Sequence, residues 1–213
     1  MRQDLLIYGA GDFGREARWL AQLLDRWNII GFSDDDPTVG DEVDGLPVLA
    51  PAELLKRRIT PLHVVFGFAD PRGKAALWER LRGLSHLAFP TLIAPDAYVE
   101  RDATLGEGCY VGHFCFVSAK AALGRFVMLN TAAQIGHDCR IGDFCSFMPM
   151  ADISGHVVMG EKSFAGAQSF VLQGLSVGRN VLIAAGAKAF DPVPDDVTIF
   201  GNPAKITKRH ARR

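Results

Sequence analysis

Residues 109–147 read CYVGHFCFVSAKAALGRFVMLNTAAQIGHDCRIGDFCSF, and this stretch decides the fold of the carboxy-terminal half. A large apolar residue recurs in it at every sixth position, and the same frame extends in both directions. The residue two places earlier in each repeat is nearly always small. The large positions are Val99, Leu105, Val111, Val117, Leu123, Leu129, Ile135, Ile141, Phe147, Ile153, Met159, Ala165, Val171, Val177, Ile183 and Ala189.

A strict period of six predicts short strands that wind into a solenoid. Side chains alternate across a strand, so each repeat can turn one small and one large side chain inward. Three six-residue repeats make a coil of 18 residues, and stacked coils make a left-handed parallel β-helix. Glycine often follows the large residue, as at Gly124, Gly136 and Gly142. We interpret these glycines as serving turns in which positive φ is needed.

All four cysteines fall at small inward positions of the repeat. Their Cys-x5-Cys pairs do not have the spacing of a zinc finger. We therefore predict that they fill the core and neither bind metal nor act as nucleophiles. The four are Cys109, Cys115, Cys139 and Cys145.

The net charge and the distribution of apolar residues limit the classes of protein to which the chain can belong. The formal net charge is −1, which gives no general attraction to nucleic acid or membranes. No apolar run approaches the roughly 20 residues of a membrane span, and the first residues do not resemble a secretory signal. We expect a cytoplasmic protein with reduced thiols. The basic tail is interpreted as a frayed, solvated end, with a phosphate-binding role as the alternative, and its charges are Lys205, Lys208, Arg209, Arg212 and Arg213.

The amino-terminal segment has the pattern of a nucleotide-binding unit. A short strand at 5–8 runs into the GxGxxG sequence at 9–14, which is followed by a helical pattern and a second strand at 29–32. An acidic cluster at 34–36 follows that strand, about 20 residues beyond the glycines, as such motifs require. The cluster could bind a ribose or base edge, or it could be a polar loop.

Further helices are predicted at 51–58 and 71–82, and further strands at 63–67 and 86–88. We therefore predict a Rossmann-like α/β domain over residues 1–88 and the β-helix with its tail over 89–213. The first domain is too short for a complete dinucleotide fold and suits a mononucleotide better than NAD.

The densest polar stretch of the solenoid contains His137 and Asp138, and the register turns His137 outward. A histidine beside a carboxylate can act as a general base, because imidazole titrates near neutral pH and the carboxylate can fix its tautomer. A surface histidine without function is the alternative. His113 and His156 also lie on the solenoid, so a metal site assembled across a trimer interface is a further possibility.

Five segments carry a resemblance to a known family. They are YGAGDFGRE at 8–16, FSDDD at 32–36, NTAAQIGHDCRIGDF at 130–144, ISGHVVMGE at 153–161 and GNPAK at 201–205. In these segments the chain resembles the sialic acid O-acetyltransferases and nucleotide-aminosugar N-acetyltransferases among the hexapeptide-repeat acyltransferases. The resemblance covers nearly the whole chain.

The resemblance implies a homotrimer that binds acetyl-CoA between neighbouring β-helices, uses no metal and holds a sugar acceptor partly in the amino-terminal domain. It implies that His137 is the catalytic base, with Asp138 and Asn130 beside it. The positions implied for acetyl-CoA are Gly155, Gly166, Ala167, Ala185, Pro203 and Lys205. Those implied for the acceptor are Gly11, Asp12, Phe13, Gly14, Asp34, Asp35 and Ser146.

Two positions depart from the nucleotide-aminosugar pattern. Ser146 stands where several members have a second histidine, nine residues after the catalytic one, and Phe68 follows Gly67 where a polar residue is usual. Arg72 keeps a later basic position. The function predicted is acetyl transfer from acetyl-CoA to a sugar or nucleotide-linked aminosugar. A metal-dependent hydratase of the carbonic anhydrase type and a non-catalytic nucleotide-binding scaffold are the alternatives.

Overall fold

A computed structural model describes residues 2–49 and 61–211. The chain divides into two compact units, one of Met1–Ala69 with Gly73–Leu92 and one of Asp70–Arg72 with Ile93–Arg213. The helix predicted at 51–58 and the charges of Arg212 and Arg213 lie outside the described residues. No helix within the described residues is both long enough and apolar enough to cross a membrane.

The first unit is a six-stranded sheet with helices. Its first strand, β1, is the buried strand that the sequence predicts near residues 5–8. The sheet runs in the order β3-β4-β2-β1-β5-β6, and every pairing except β3–β4 is parallel. The short β3–β4 hairpin was not predicted. The elements are β1 (Gln3–Tyr8), α1 (Asp12–Leu23), β2 (Trp27–Ser33), β3 (Glu42–Val43), β4 (Leu46–Leu49), β5 (Leu62–Phe66), α2 (Pro71–Leu81) and β6 (Leu87–Ala88).

The second unit is the β-helix that the repeat predicts, and it contains seventeen two-residue strands before its end. They are β7 (Leu92–Ile93), β8 (Tyr98–Val99), β9 (Thr104–Leu105), β10 (Tyr110–Val111), β11 (Phe116–Val117), β12 (Ala122–Leu123), β13 (Met128–Leu129), β14 (Gln134–Ile135), β15 (Arg140–Ile141), β16 (Ser146–Phe147), β17 (Asp152–Ile153), β18 (Val158–Met159), β19 (Phe164–Ala165), β20 (Phe170–Val171), β21 (Ser176–Val177), β22 (Leu182–Ile183) and β23 (Lys188–Ala189).

Every third strand stacks in parallel on the same sheet, which gives the prism three faces. Face 1 contains β7, β10, β13, β16, β19 and β22; face 2 contains β8, β11, β14, β17, β20 and β23; face 3 contains β9, β12, β15, β18 and β21. Partners are 18 residues apart, as in the pair Val117 and Ile135. The large inward side chains therefore stack in columns and form one continuous apolar core.

The turns between faces correct the interpretation of the repeat glycines. Positive φ falls on the second residue of the turn, which is usually not glycine, as at Phe144 (φ 63°). Gly136 and Gly142, which follow large inward residues, have ordinary φ values, and a Cβ added to either would lie 2.5 Å from a backbone nitrogen of the next coil. These glycines permit close stacking of coils, which a methyl group would obstruct.

The carboxy-terminal tail is ordered, so the prediction of a frayed end was wrong for its described part. Strand β24 (Val197–Gly201) extends face 1 beside β22, and β25 (Ala204–Arg209) folds back on it in antiparallel pairing. Lys205, Lys208 and Arg209 lie on β25 with exposed side chains. Backbone pairing stabilises this strand although its side chains contribute little burial.

The cysteines occupy the core, as predicted. Each is at most 2% exposed, and each thiol donates to a backbone carbonyl, as Cys139 does to Ser154 at 3.1 Å. Burial raises the pKa of the Cys115 thiol to about 11, which disfavours the reactive thiolate.

We expect native protein to react with a thiol-specific disulfide reagent at neutral pH far more slowly than protein unfolded in guanidinium, which should expose four thiols. The reason is that the reagent needs both access and thiolate, and the folded core denies both. Absorbance of the released chromophore measures this. Rapid reaction of a thiol in the native chain would contradict the placement of the cysteines.

Candidate functional site

His137 and Asp138, which we call the dyad, lie in a turn at one corner of the prism. We call this the His137 corner, and it is the column of turns between faces 2 and 3 at residues 101–102, 119–120, 137–138, 155–156 and 173–174. His137 Nδ1 lies 2.9 Å from Asp138 Oδ2, and the His137 side chain is 48% exposed. Since Nδ1 faces the carboxylate, Nε2 is the ring nitrogen available to a substrate.

The next turn along this corner makes room for the imidazole. A Cβ added at Gly155 would lie 2.6 Å from His137 Nε2, so the ring occupies the space that any other side chain would need. The equivalent turn position carries Arg101, Ala119 and Gln173 in other coils. The corner itself therefore tolerates side chains, and it is the His137 ring that requires glycine at 155.

A second histidine stands beside the first. The His156 ring meets the His137 ring edge to face, with centroids 4.8 Å apart and planes at 88°. His156 Nε2 lies 4.0 Å from Asp138 Oδ2. The three side chains could hold a metal ion, because their potential ligand atoms lie within 4.8 Å of one another.

The surroundings keep the Asp138 carboxylate charged. The hydrogen bond from His137 holds the pKa of Asp138 below its ordinary value, and the nearby charges of His156 and Lys120 act in the same direction. An ionised carboxylate beside Nδ1 favours the proton on that nitrogen of His137, which leaves the lone pair on Nε2. The arrangement is suited to a general base.

The Gly155 backbone adds a hydrogen-bond donor. Within the described residues no acceptor is bonded to the Gly155 N–H, whereas its carbonyl accepts from Gly174. An unpaired N–H beside a general base can stabilise an oxyanion that develops on a bound carbonyl group.

Other predicted residues lie at a different corner. We call it the Thr131 corner, between faces 1 and 2, with turns at 113–114, 131–132, 149–150, 167–168 and 185–186. Asn130 accepts from the Thr131 N–H at 2.6 Å. Face 2 separates this corner from the His137 corner, so one chain does not bring Asn130 to His137. The predicted positions on the Thr131 corner are Asn130, Gly166, Ala167 and Ala185.

The predicted tail residues lie at the end of the prism. Pro203 is in the turn between β24 and β25, and its peptide bond with Asn202 is cis. Lys205 lines a cleft of about 380 Å³ together with Phe190 and Ile206. Phe190 directly follows β23 of face 2, so this cleft lies at the end of that face.

The GxGxxG loop of the first unit borders a cavity of about 520 Å³. Gly9 adopts φ 112°, and a Cβ added there would lie 2.8 Å from the Gly67 carbonyl oxygen. A Cβ added at Gly14 would collide with the Gly9 carbonyl. The glycines thus allow the loop to pack against Gly67, and α1 starts at Asp12 with its amino end at the cavity, where backbone N–H groups favour an anion.

The two acidic residues predicted to bind the acceptor already have partners within this unit. Asp34 accepts from the Ala10 N–H at 2.8 Å, which ties it to the glycine loop. Asp35 accepts from the Tyr8 hydroxyl at 2.7 Å and from Arg80 at 2.6 and 3.1 Å. The Arg80 guanidinium holds the pKa of the Asp35 carboxyl low, while burial and the hydrogen bond to Asp35 raise the pKa of the Tyr8 hydroxyl.

Three other residues that the sequence analysis singled out, Ser146, His113 and Phe68, are not part of the His137 corner. Ser146 is fully buried on face 1 and does not reach the His137 corner. His113 lies on the Thr131 corner and pairs with Asp96 at 2.9 Å. Phe68 borders the cavity of the first unit, where it stacks on Phe66.

Sequence reasoning missed Tyr8 and Arg80 as site residues, and it named His156 only as a possible metal ligand across a trimer interface, not as a neighbour of His137 within one chain. The 18-residue coil contained the signal for His156, because 156 is 138 plus one coil. No comparable signal existed for Arg80, which is 45 positions from Asp35 along the chain. Only the register of α2 against the sheet brings these two residues together.

Comparison with known proteins identifies the protein family. Residues 4–81 match the model of the PglD N-terminal domain. The acetyltransferase domain of PglB from Neisseria gonorrhoeae is 32% identical over 96% of this chain and 100% of its own, with a TM-score of 0.89. A second structure of that domain, with a TM-score of 0.88, contains acetyl coenzyme A.

Two further proteins are similar to this chain over nearly its whole length. PerB from Caulobacter crescentus, solved with CoA and GDP-perosamine, is 28% identical over 96% of this chain and 97% of its own, with a TM-score of 0.89. GDP-perosamine N-acetyltransferase of Escherichia coli O157:H7 is 29% identical over 95% of this chain and 96% of its own. With its repeat, its α/β unit and these relatives, the chain belongs to the hexapeptide-repeat sugar acetyltransferases.

Proposed function

We propose that this chain transfers the acetyl group of acetyl-CoA to the amino group of a nucleotide-linked aminosugar, with His137 as the general base. The observation that carries the proposal is the His137–Asp138 pair above Gly155, at a rigid corner of the prism. The relatives solved with acetyl-CoA, CoA and GDP-perosamine support the two substrate classes.

The transfer is direct. The acceptor nitrogen attacks the thioester carbonyl while Nε2 of His137 takes its proton, and the Asp138 carboxylate stabilises the imidazolium that forms. The Gly155 N–H donates to the tetrahedral oxyanion. Collapse of that intermediate breaks the carbon–sulfur bond, and the departing CoA thiolate takes the proton from His137. A cysteine acyl-enzyme is disfavoured because all four thiols are buried.

The first unit would bind the nucleotide of the acceptor. Its cavity combines a helix amino end suited to a diphosphate with polar groups at the carboxyl ends of β1 and β2. Asp35 with Tyr8 and Arg80 forms a preorganised wall of that cavity. Phe13 and Phe68 add aromatic surface against which a base could pack.

A homotrimer would complete the catalytic site. Of the residues predicted for acetyl-CoA, Gly166, Ala167 and Ala185 lie on the Thr131 corner, whereas Gly155 and the proposed base lie on the His137 corner. Face 2 of one chain must therefore meet a second copy for both corners to act on one thioester. Face 2 and its borders expose large apolar side chains that an interface would cover. They are Tyr98, Phe114, Phe116, Met150, Leu172 and Phe190.

A metal-dependent hydratase is the second candidate, favoured only by the proximity of His137, Asp138 and His156. Elemental analysis of the purified protein separates the two. Stoichiometric zinc with hydration of CO2 would favour the hydratase. Release of CoA thiol that depends on an amino-sugar nucleotide, with one acetyl group gained by the product in mass spectrometry, would establish transfer and also exclude a non-catalytic scaffold.

Replacing His137 with alanine should lower kcat by about 10²–10⁴-fold, because general-base catalysis contributes that much. The KM for acetyl-CoA and the oligomeric mass should not change. His86→Ala, a histidine of the first unit, serves as the control and should keep wild-type turnover. Wild-type kcat in His137→Ala would show that another group removes the proton.

Replacing Gly155 with alanine should displace the His137 ring, because the new methyl carbon would lie 2.6 Å from Nε2. We expect a loss in kcat of up to about 10²-fold, the effect typical of a small misplacement. Gln173→Ala alters the same turn position in the next coil and should leave kcat intact. If both variants turn over like the wild type, the ring does not depend on the glycine.

Replacing Arg80 with leucine should release Asp35 and weaken acceptor binding. We expect KM for the sugar nucleotide to rise about tenfold, in line with loss of a charge-assisted contact, with little change in kcat or in KM for acetyl-CoA. Arg82→Leu removes the same charge from an arginine that pairs with Glu79 and does not border the cavity. An equal rise in KM for both variants would indicate a general charge effect.

A further inference from the structure

We infer that His156 is a positioning residue whose ring fixes the orientation of the His137 imidazole. This inference rests on the proposed role of His137 as the base. The geometry that carries it is the edge-to-face contact of the two rings, 4.8 Å apart at 88°, one coil beyond Asp138.

The backbone places His156 with little freedom. Its N–H donates to the His137 carbonyl at 2.8 Å, so the turn at 155–156 is tied directly to the turn that carries the base. His156 adopts φ 59°, as expected for the second residue of such a turn. The ring therefore begins from a fixed point beside His137.

His137 needs such a support because its own turn constrains it on one side only. Asp138 holds Nδ1, but a single hydrogen bond permits rotation of the ring about that contact. The Nε2 edge packs over the backbone of Gly155, where an added Cβ would lie 2.6 Å from Nε2, and glycine has no side chain that could hold the ring there. The His156 ring contacts the imidazole edge to face and limits this motion, and an edge-to-face pair is a favourable packing geometry.

His156 is also close to the charge of Asp138, at 4.0 Å from Nε2 to Oδ2. Lys120 occupies the same turn position two coils before His156, one coil before Asp138, and its charge also acts on Asp138. Loss of charge beside Asp138 can therefore be tested separately from loss of the ring, since Lys120→Ala removes a charge near Asp138 and leaves the His156 ring in place.

The test compares His156→Ala with His156→Phe by steady-state kinetics. Alanine should lower kcat between about 10-fold and 100-fold, the range expected when a reacting group is displaced. KM for both substrates should stay within about twofold, because the substitution does not remove a contact that binds either substrate in the ground state. Phenylalanine keeps a ring in place and should restore most of the lost kcat. The turn accepts it, because Phe114, Phe126 and Phe144 adopt the same positive φ.

Thermal melting and oligomeric mass of each variant establish that it folds. His156→Ala with wild-type kcat would overturn the inference, and so would an equal loss in His156→Phe and His156→Ala. A loss in Lys120→Ala as large as that in His156→Ala would overturn it as well, because charge alone would then account for the effect. His137→Ala distinguishes the two claims: if that variant keeps full activity, the proposed function fails whatever His156 does.

Discussion

The pairing of each strand with the strand 18 residues further along determines where every group of the second unit stands. It places Val117 beside Ile135 in the core, and it places Gly155 and His156 beside His137 and Asp138 at the corner. Backbone hydrogen bonds between successive turns continue the same register to the surface. The site therefore inherits its precision from the repeat, because rigid regular elements hold side chains more accurately than long loops do.

In a single chain the His137 and Asp138 side chains stand partly exposed at their corner, with 48% and 37% of their surface accessible. His137, the proposed base, lies on one corner with Gly155, while Gly166, Ala167 and Ala185 lie on another, with face 2 between them. Exposed aromatic side chains along face 2, including the stacked pair Tyr98 and Phe116, suggest how the two corners meet in an assembly. Catalysis and assembly would then depend on the same surface, while the proposed recognition of the nucleotide would fall to the α/β unit.

Periodic features were predictable from the sequence, and contacts between distant segments were not. The six-residue frame predicted the prism, the buried cysteines and the outward dyad, because each follows from strand alternation and a fixed coil length. The same frame misassigned the role of the repeat glycines, because close stacking between coils leaves no mark within one repeat. The contact of Arg80 with Asp35 and the β24–β25 hairpin depend on packing and pairing that no local pattern encodes.

The central claim is that the chemistry takes place at the His137 corner. A crystal structure of the protein with CoA and an amino-sugar nucleotide tests it most directly. The account predicts the CoA thiol beside the Gly155 N–H and the acceptor nitrogen about 2.6–3.2 Å from His137 Nε2, the reach of a general base. A CoA thiol and acceptor nitrogen that meet at another corner, away from His137, would contradict it.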